Sequence, residues 1–498
     1  MKTYRPYSPE QSYLLPPSPR EWLPEGHLSK FVLDLVNDLD LKEIEQKVQA
    51  KDARGERPYS PTMMTALLLY AYSTGVFSSR RIERATVEDL AFRFLSGNEQ
   101  PHFTTINQFR AKHREALAAL FVQVLEACMS AGLVKLGHVA IDGTKMKANA
   151  SKHKAMSYDR LVKDDARLRA EVEQLLQQAE AADAAEDETE GEYDPNEEIR
   201  LREERLKKMA EVREALRRET AAKRAARLEA QAIELREKAK DPTTAPRDQK
   251  GFVTTAAARD RKAEQLRLRA QPEERSDDDD DSDDDLPRNS PPSTPDGEPK
   301  PNAQRNFTDP QSRIMFRDGT FLQAYNAQIA VDEGNQIIVA AALSNQGPDT
   351  EYFEPMLRRV VENCDAVPNR VTADAGYFSP ANVRLAESLG AEPFIAVGGH
   401  RRDGLPDEEA LPASARSESA RTMKALLNSD DGHAAYARRK ATVEPVFGQI
   451  RACRGFRQMS FRGLLKNRCE WLLVCATHNL LKLWRSVSRQ RPQLAIGA

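Results

Sequence analysis

The sequence predicts an α/β protein whose mixed sheet is preceded by an all-helical region and interrupted by a long polar insertion. Residues 27–135 carry helix caps and apolar residues at helical spacing. Residues 137–143, and the chain from 321 onward, contain short apolar runs separated by helical patterns, which is typical of strands alternating with helices. Residues 156–305 are dominated by charged residues and separate these two strand-forming parts.

Composition limits the classes of protein that fit. The chain has 498 residues, which is enough for two or three domains, and no apolar run of about 18 residues that would span a membrane. The five cysteines have spacings that fit neither a zinc site nor a secreted disulfide framework, so a cytoplasmic protein is expected. The net charge of −3 argues against nucleic acid, but an acidic tract within the insertion hides basic segments elsewhere.

The N-terminal part is predicted to be an extended arm (1–26) followed by a helical DNA-binding domain (27–135). Ser60-Pro61 predicts an N-cap and first-turn proline, and Thr86 to Asp89 resembles a capping box. Thr104-Thr105 is predicted to cap a helix reaching Leu125, so that a helix, a short turn and a second helix form a helix-turn-helix outline. The residues there predicted to contact DNA are Asn107, Arg110, Lys112 and Arg114. The alternative is a solvated amphipathic helix.

The insertion (156–305) has leucines and other apolar residues at seven-residue spacing, which predicts two long charged helices reaching about residue 240. The stretch from Gln271 to Pro301 contains runs of aspartate and then a tail rich in proline and serine. This composition predicts a disordered segment.

The rest of the chain predicts a sheet. After the strand at 137–143 come a hairpin (321–331 and 336–343), a helix (350–364), a strand (370–374), a helix (380–389) and a strand (393–397). Helices follow at about 433–451 and 469–486. This order matches a ribonuclease-H-like mixed sheet, with the catalytic domain divided into residues 136–155 and 306–490.

Two aspartates follow strands that would be neighbours in this sheet. Asp142 ends the first strand and Asp374 ends the fourth, so both would lie at the carboxyl edge of the sheet. Two carboxylates so close cannot both stay ionised without a counter-charge. Oxygen ligands without a His or Cys cluster favour Mg²⁺ or Mn²⁺ over zinc.

A third carboxylate is predicted at Glu444. Pro445 is unfavourable inside a helix, so the prediction starts a helix with Thr442 as its N-cap and places Glu444 in the first turn. With Asp142 and Asp374, Glu444 would complete a site for two metal ions about 3.5–4 Å apart, suited to in-line phosphoryl displacement.

Three motifs resemble those of the DDE transposases, most closely the bacterial insertion sequence 1182 family within the wider insertion sequence 4/5 assemblage. They are Ala140-Ile-Asp142-Gly-Thr-Lys, Ala373-Asp374-Ala-Gly-Tyr377-Phe-Ser and Thr442-Val-Glu444-Pro-Val-Phe-Gly-Gln-Ile. The resemblance implies a ribonuclease-H-like catalytic domain, two Mg²⁺ (or Mn²⁺) ions held by Asp142, Asp374 and Glu444, and recognition of terminal inverted repeats and target DNA. It also implies a bacterial, nucleoid-associated protein that forms a homodimer or higher oligomer on DNA.

A related signature has a tyrosine and an arginine ahead of the glutamate. Tyr436 and Arg439 precede Glu444 with one residue too many, so Tyr436 is a possible helper and Lys440 is the alternative to Arg439. The basic residues predicted to line DNA near the acids are Lys145, Lys147, Arg438, Arg439, Lys440, Arg451, Arg454 and Arg457. Two alternative functions remain open: a catalytically silent DNA-binding regulator, and a ribonuclease-H-like nuclease without strand transfer.

Overall fold

The computed structural model of the protein describes residues 18–49, 57–150, 155–183, 195–241, 245–270, 286, 289, 291–398 and 417–490. Most of the predicted arm and the predicted disordered stretch from 271 to 285 lie outside these residues. Among the helices of the described residues, none is long and apolar enough to cross a membrane.

Eight helices precede the first strand in the described residues. They are α1 (Pro19–Trp22), α2 (Leu28–Asp38), α3 (Lys42–Gln49), α4 (Pro61–Ser73), α5 (Ser79–Glu88), α6 (Leu90–Ser96), α7 (Phe103–Lys112) and α8 (Arg114–Ser130). Ser60 caps α4 as predicted, with Pro61 in the first turn. The predicted cap at Thr86 is wrong, because Asp89 accepts hydrogen bonds from the first-turn N–H groups of α6 while Thr86 lies inside α5.

The predicted long helix from residue 104 to residue 125 is also wrong. His102 caps α7 through its side chain, and the chain breaks at His113 before α8 begins.

The remaining elements follow in chain order. They are β1 (His138–Lys147), β2 (Ala155–Ser157), α9 (Tyr158–Asp183), α10 (Pro195–Lys240), α11 (Pro246–Ala270), β3 (Gln304–Asn306), β4 (Arg313–Arg317), β5 (Thr320–Asp332), β6 (Ile337–Ser344), α12 (Phe353–Cys364), β7 (Arg370–Ala373), α13 (Pro380–Leu389), β8 (Glu392–Ile395), α14 (Glu418–Asn428), α15 (Asp430–Gly448) and α16 (Leu464–Gln490). A π-helical turn, Gln449–Cys453, directly follows α15.

The main sheet is mixed, with the strand order β4-β5-β1-β7-β8 in the described residues and β6 paired to the second half of the same edge of β5. The strands β1, β7 and β8 are parallel, whereas β5 runs antiparallel to β1. The predicted hairpin is confirmed as β5 and β6. The predicted neighbours β1 and β7 are paired from His138 opposite Arg370 to Ile141 opposite Ala373.

One apolar core joins the N-terminal helices to the sheet. Helix α16 packs against α8, α4 and β6, and its Trp471 is fully buried, with the indole Nε1 donating to the carbonyl of Gln328 at 3.2 Å. The buried side chains of α2, α4 and α8 belong to the same cluster as those of β1, β5 and β6. The N-terminal helices therefore pack as part of the body that carries the sheet.

The insertion contains three described helices instead of two, and helical structure continues to Ala270 instead of ending near residue 240. Helices α10 and α11 pack antiparallel through Ala225, Leu228, Ala263 and Leu266. The small side chains of the two alanines allow the helices to approach closely. Glu219 of α10 ties the insertion to the sheet region through ion pairs with Arg305 and Arg313. Residues 291–301 form a described turn, so the disorder predicted for them is wrong.

Candidate active site

Asp142 and Asp374 lie side by side where the parallel ladder between β1 and β7 ends. The last pair in that ladder joins Ile141 and Ala373, the residues immediately before the two acids. The predicted end of the first strand is wrong, because β1 continues to Lys147. The long strand β5 provides pairing partners for these additional residues beyond the end of β7. Asp142 therefore sits mid-strand, with β7 already finished beside it.

The Asp142 carboxylate is largely buried, with 17% of its side chain exposed. One oxygen accepts from the Gly143 N–H at 2.8 Å, and the other accepts from Arg439 Nη1 at 3.1 Å. Burial raises the pKa of Asp142 to about 6, Arg439 acts to lower it, and the negative charges of Asp374 and Asp349 act to raise it. The site therefore holds more negative charge than its one arginine neutralises.

Asp374 starts a tight turn that fixes the loop after β7. Its side chain accepts from the Gly376 N–H at 2.8 Å, capping the short 3₁₀ helix Ala375–Tyr377. The hydroxyl of Tyr377 is buried and donates to Gln328 Oε1. Its pKa is raised well above the usual value by burial and then by the charges of Asp349, Asp142 and Asp374.

A further acid at this site, Asp349, was missed from the sequence. Its carboxylate accepts from Lys145 Nζ at 3.0 Å, from Asn326 Nδ2 at 2.7 Å and from Gln328 Nε2 at 2.9 Å. A Cβ placed at Gly376 would lie 3.0 Å from Asp374 Oδ1 and 3.6 Å from Asp349 Oδ2, so the two acids flank that glycine. The only local signal is a polar Gly-Pro-Asp turn after β6, and that turn does not identify its partners.

Gly143, next to Asp142, leaves space for this network. A side chain at Gly143 would overlap Gln328, whose amide nitrogen reaches Asn326 and Asp349. The Asp-Gly pair in β1 is therefore required by packing as well as by chemistry.

The helical region predicted at about 433–451 is confirmed as α15. The separate helix start predicted at Thr442 is wrong, because α15 begins at Asp430 and runs through Pro445. Proline lacks the N–H that would bond to the carbonyl four residues earlier, at Ala441. That carbonyl instead accepts from Gln336 Nε2 at 3.0 Å, and Thr442 donates its hydroxyl to the carbonyl of Arg438 at 2.9 Å. The sheet thus supplies the partner that the proline removes.

This continuous helix places its residues differently around the site. Arg439 is buried and bonded to Asp142, and Tyr436 lies under its guanidinium, 5.5 Å from the ring centroid. Glu444 lies on an exposed face of α15. In the described part of the chain, no group of three or more His, Cys, Asp and Glu side chains is arranged to hold a metal ion. The structure therefore joins Tyr436 and Arg439 to the two aspartates but leaves Glu444 outside their cluster.

Several predicted DNA-contacting residues lie on one surface beside β1. Arg451 donates to Thr144 Oγ1 at 3.3 Å, and Arg457, exposed, bonds to the carbonyl of Arg451 at 3.3 Å. Lys147 is exposed at the end of β1. Arg317, which the sequence analysis did not select, bonds to the carbonyl of Lys145. We call Lys147, Arg317, Arg451 and Arg457 the basic surface.

Three of the predicted residues already have hydrogen-bond or ion-pair partners within the protein. Arg110 is buried and donates to Tyr72, Phe77, Ser79 and Asn107 in the N-terminal core. Arg454 is buried and donates to the Val474 carbonyl and to Thr477, and burial lowers its pKa to about 10. Lys145 pairs with Asp349. The burial of Arg110 and Arg454 leaves no surface for DNA, so we reassign both to structural roles.

The other predicted residues are exposed or partly exposed. Arg438 is 3.5 Å from Glu333, and Arg114 donates to the carbonyl of Ala111. Asn107, Lys112 and Lys440 are exposed.

Two segments of the chain match family models. Residues 17–112 match a model described as transposase domain (DUF772), and residues 299–480 match a model described as transposase DDE domain. Asp374 and Glu444 fall within the second segment, and Asp142 lies between the two. No curated protein and no solved structure matches the chain. The two family models together support a transposase.

Proposed function

Because both segments match transposase domains, we propose that the protein is a DNA transposase. It would bind the terminal inverted repeats of an insertion sequence and catalyse metal-dependent cleavage and strand transfer. The observation that carries the proposal is the pair Asp142 and Asp374, which lie on neighbouring strands directly after the last pair of the β1–β7 ladder. Asp374 falls within the segment that matches the transposase DDE domain. The strand order supports a ribonuclease-H-like fold, and the motifs support the insertion sequence 1182 family as the narrower group.

The site fits a divalent cation. Burial and the neighbouring aspartates raise the pKa of Asp142 to about 6, so additional positive charge there would favour its ionised form. Asp142 and Asp374 would hold the metal through hard oxygen ligands, which suits Mg²⁺ or Mn²⁺. Bound metal of this kind activates an attacking oxygen and stabilises a leaving oxygen in phosphoryl transfer. We propose Glu444 as the third ligand and two ions as the full complement.

The protein's own side chains have roles besides ligation. Arg439 orients Asp142 and offsets part of its charge, and Tyr436 packs against that guanidinium. The ion pair between Lys145 and Asp349 joins β1 to the turn after β6. It therefore holds β1 in place just beyond Asp142. The basic surface beside β1 would hold the phosphate backbone of the DNA.

The decisive experiment incubates purified protein and Mg²⁺ with labelled duplexes carrying the ends of the element that encodes the protein. We expect nicking at the 3′ ends and joining to a target, both lost in Asp374→Asn and retained in Asp365→Asn. Asp365 is an exposed helix-end acid in the left-handed conformation that asparagine also adopts. Binding without cleavage would favour the silent regulator, and cleavage without joining would favour the nuclease.

A further inference from the structure

A short hairpin beside the active site has an exposed aromatic face. The strands β4 and β5 are joined by Asp318-Gly319, and both residues have positive φ, at 50° and 78°. A two-residue turn with positive φ at both positions matches the twist of the strands it connects, so the turn fixes the register of β4 and β5.

The exposed face consists of two phenylalanines. Phe316 and Phe321 lie directly opposite each other in the register, with ring centroids 5.1 Å apart. Their exposed fractions are 59% and 63%, and Ile314 on the same hairpin is 40% exposed. In the described part of the chain, these two are the phenylalanines exposed to solvent. Two adjacent exposed aromatic rings form an apolar patch of the kind that marks a contact surface.

Two arginines of the basic surface link the hairpin to β1 and its neighbours. Arg317 follows Phe316 in β4 and bonds to the carbonyl of Lys145. Asp318 in the turn is 3.7 Å from Arg451, which also reaches Thr144. Thr144 is two residues beyond Asp142 in β1, a distance of about 7 Å along a strand. These contacts hold the turn of the hairpin beside β1, the strand that carries Asp142.

We propose that Phe316 and Phe321 stack on bases of the DNA whose phosphate the active site cuts. The inference rests on the proposed function and extends it to how the DNA end is held. Aromatic rings beside cationic side chains suit nucleic acid, because the rings contact base faces while the cations contact phosphates. A second copy of this chain fits less well, since a symmetric contact would bring the two basic surfaces together.

The test uses the full-length protein and duplexes of the element's end in which adenines near the cleavage site are replaced by 2-aminopurine. The fluorescence of this base rises when it leaves the base stack. Wild type is compared with Phe316→Ala/Phe321→Ala and with Phe316→Tyr/Phe321→Tyr, which keeps the rings. Val253→Ala/Leu268→Ala is the matched control, because it removes two exposed apolar side chains from α11.

We expect wild type, the tyrosine variant and the control to bind tightly and raise the fluorescence. The alanine variant should bind about tenfold more weakly for each lost stack and leave the fluorescence flat. Its affinity should keep the same dependence on salt, because no charge is removed.

Two results would overturn the inference while leaving the proposed function intact. One is that wild type cuts the DNA ends and the alanine variant gives the same affinity and the same fluorescence as wild type. The other is an alanine variant that changes from dimer to monomer with unchanged DNA affinity, which would make the hairpin a contact between copies. If wild type neither binds nor cuts the ends, the proposed function itself fails, and the inference fails with it.

Discussion

Replacing Asp142 with asparagine should stabilise the metal-free protein at neutral pH. Burial raises the pKa of this carboxyl to about 6, from its ordinary value of 3.8. Because the folded pKa is the higher one, the contribution of Asp142 to stability is fully present below about pH 3.8 and is lost as pH rises through 6. The difference of about 2.2 pH units corresponds to about 3 kcal/mol at pH 7.5.

Urea denaturation in EDTA measures this directly. At pH 7.5 the free energy of unfolding of Asp142→Asn should exceed that of wild type by about 2.4 kcal/mol more than it does at pH 4, because the unfolded carboxyl is already partly ionised at pH 4. Asparagine keeps one oxygen that accepts from Arg439 but loses the acceptor for the Gly143 N–H. That loss does not depend on pH, so it leaves the change between the two pH values unaffected. Adding Mg²⁺ should narrow the gap at pH 7.5, because an ion that binds the native carboxylates stabilises wild type alone.

A difference between the two proteins that stays constant from pH 4 to pH 7.5 would refute the reasoning. It would mean that the Asp142 charge is fully compensated in the folded protein without metal. The active-site acids would then give no electrostatic reason to bind a cation.

The remaining predictions concern two arginines, a histidine and a proline. Arg454→Ala should lower the free energy of unfolding by about 3 kcal/mol, because it leaves buried acceptors unpaired, whereas Arg457→Ala should leave stability within about 0.5 kcal/mol and weaken DNA binding. Equal melting temperatures for these two variants would contradict this. Burial lowers the pKa of His478 to about 3 from 6.5, so its contribution to stability is present above pH 6.5 and about 2 kcal/mol of it is lost by pH 5. In urea denaturation at pH 5 and pH 7.5, the free energy of unfolding of His478→Gln should not show this loss at pH 5. A variant that loses as much stability as wild type between the two pH values would contradict this. Gln336→Ala should lower the free energy of unfolding by about 1 kcal/mol when Pro445 is present. It should lower it by less in the Pro445→Ala background, where the helix N–H is restored. A double-mutant cycle that shows no coupling between the two positions would exclude the contact.

The sheet could be predicted because its determinants are local. Apolar runs of strand length, separated by turns or helical patterns, predicted β1, β5, β6, β7 and β8, and the order of those strands placed Asp142 beside Asp374. The hairpin of β4 and β5 was missed although Asp318-Gly319 is a strong local signal for a tight turn.

The additional helix start predicted at Thr442 was wrong for a reason that lies outside the local sequence. Pro445 leaves one carbonyl without its helical partner, and a local rule therefore begins a new helix there. In the folded protein Gln336, 105 positions away in the chain, donates to that carbonyl. No local pattern contains this contact, so the continuation of the helix through Pro445 could not be predicted from the residues around it.

Buried charges were the other failure. Arg454 and Arg457 lie three residues apart in the same basic stretch, yet Arg454 is buried against α16 and Arg457 is exposed. Composition reveals the charge of a side chain but not the direction in which it points. Asp349 was missed for the same reason, since its partner Lys145 is 204 positions away in the chain.

The position of Glu444 on α15 sets a condition on any role in metal binding. Glu444 follows Arg439 by five residues, which is about 140° around a regular helix, so the two side chains face different directions. Since Arg439 already meets Asp142, Glu444 would approach the aspartates only through a change in α15 near that point. The regular α-helical hydrogen bonding is interrupted there, because Pro445 has no N–H to donate and a π-helical turn follows at Gln449–Cys453. We therefore expect Mg²⁺ together with DNA to change amide hydrogen exchange at residues 441–453, with the exchange of α13 as the internal reference. Unchanged exchange in a complex that cuts DNA would assign catalysis to the two aspartates without movement of Glu444.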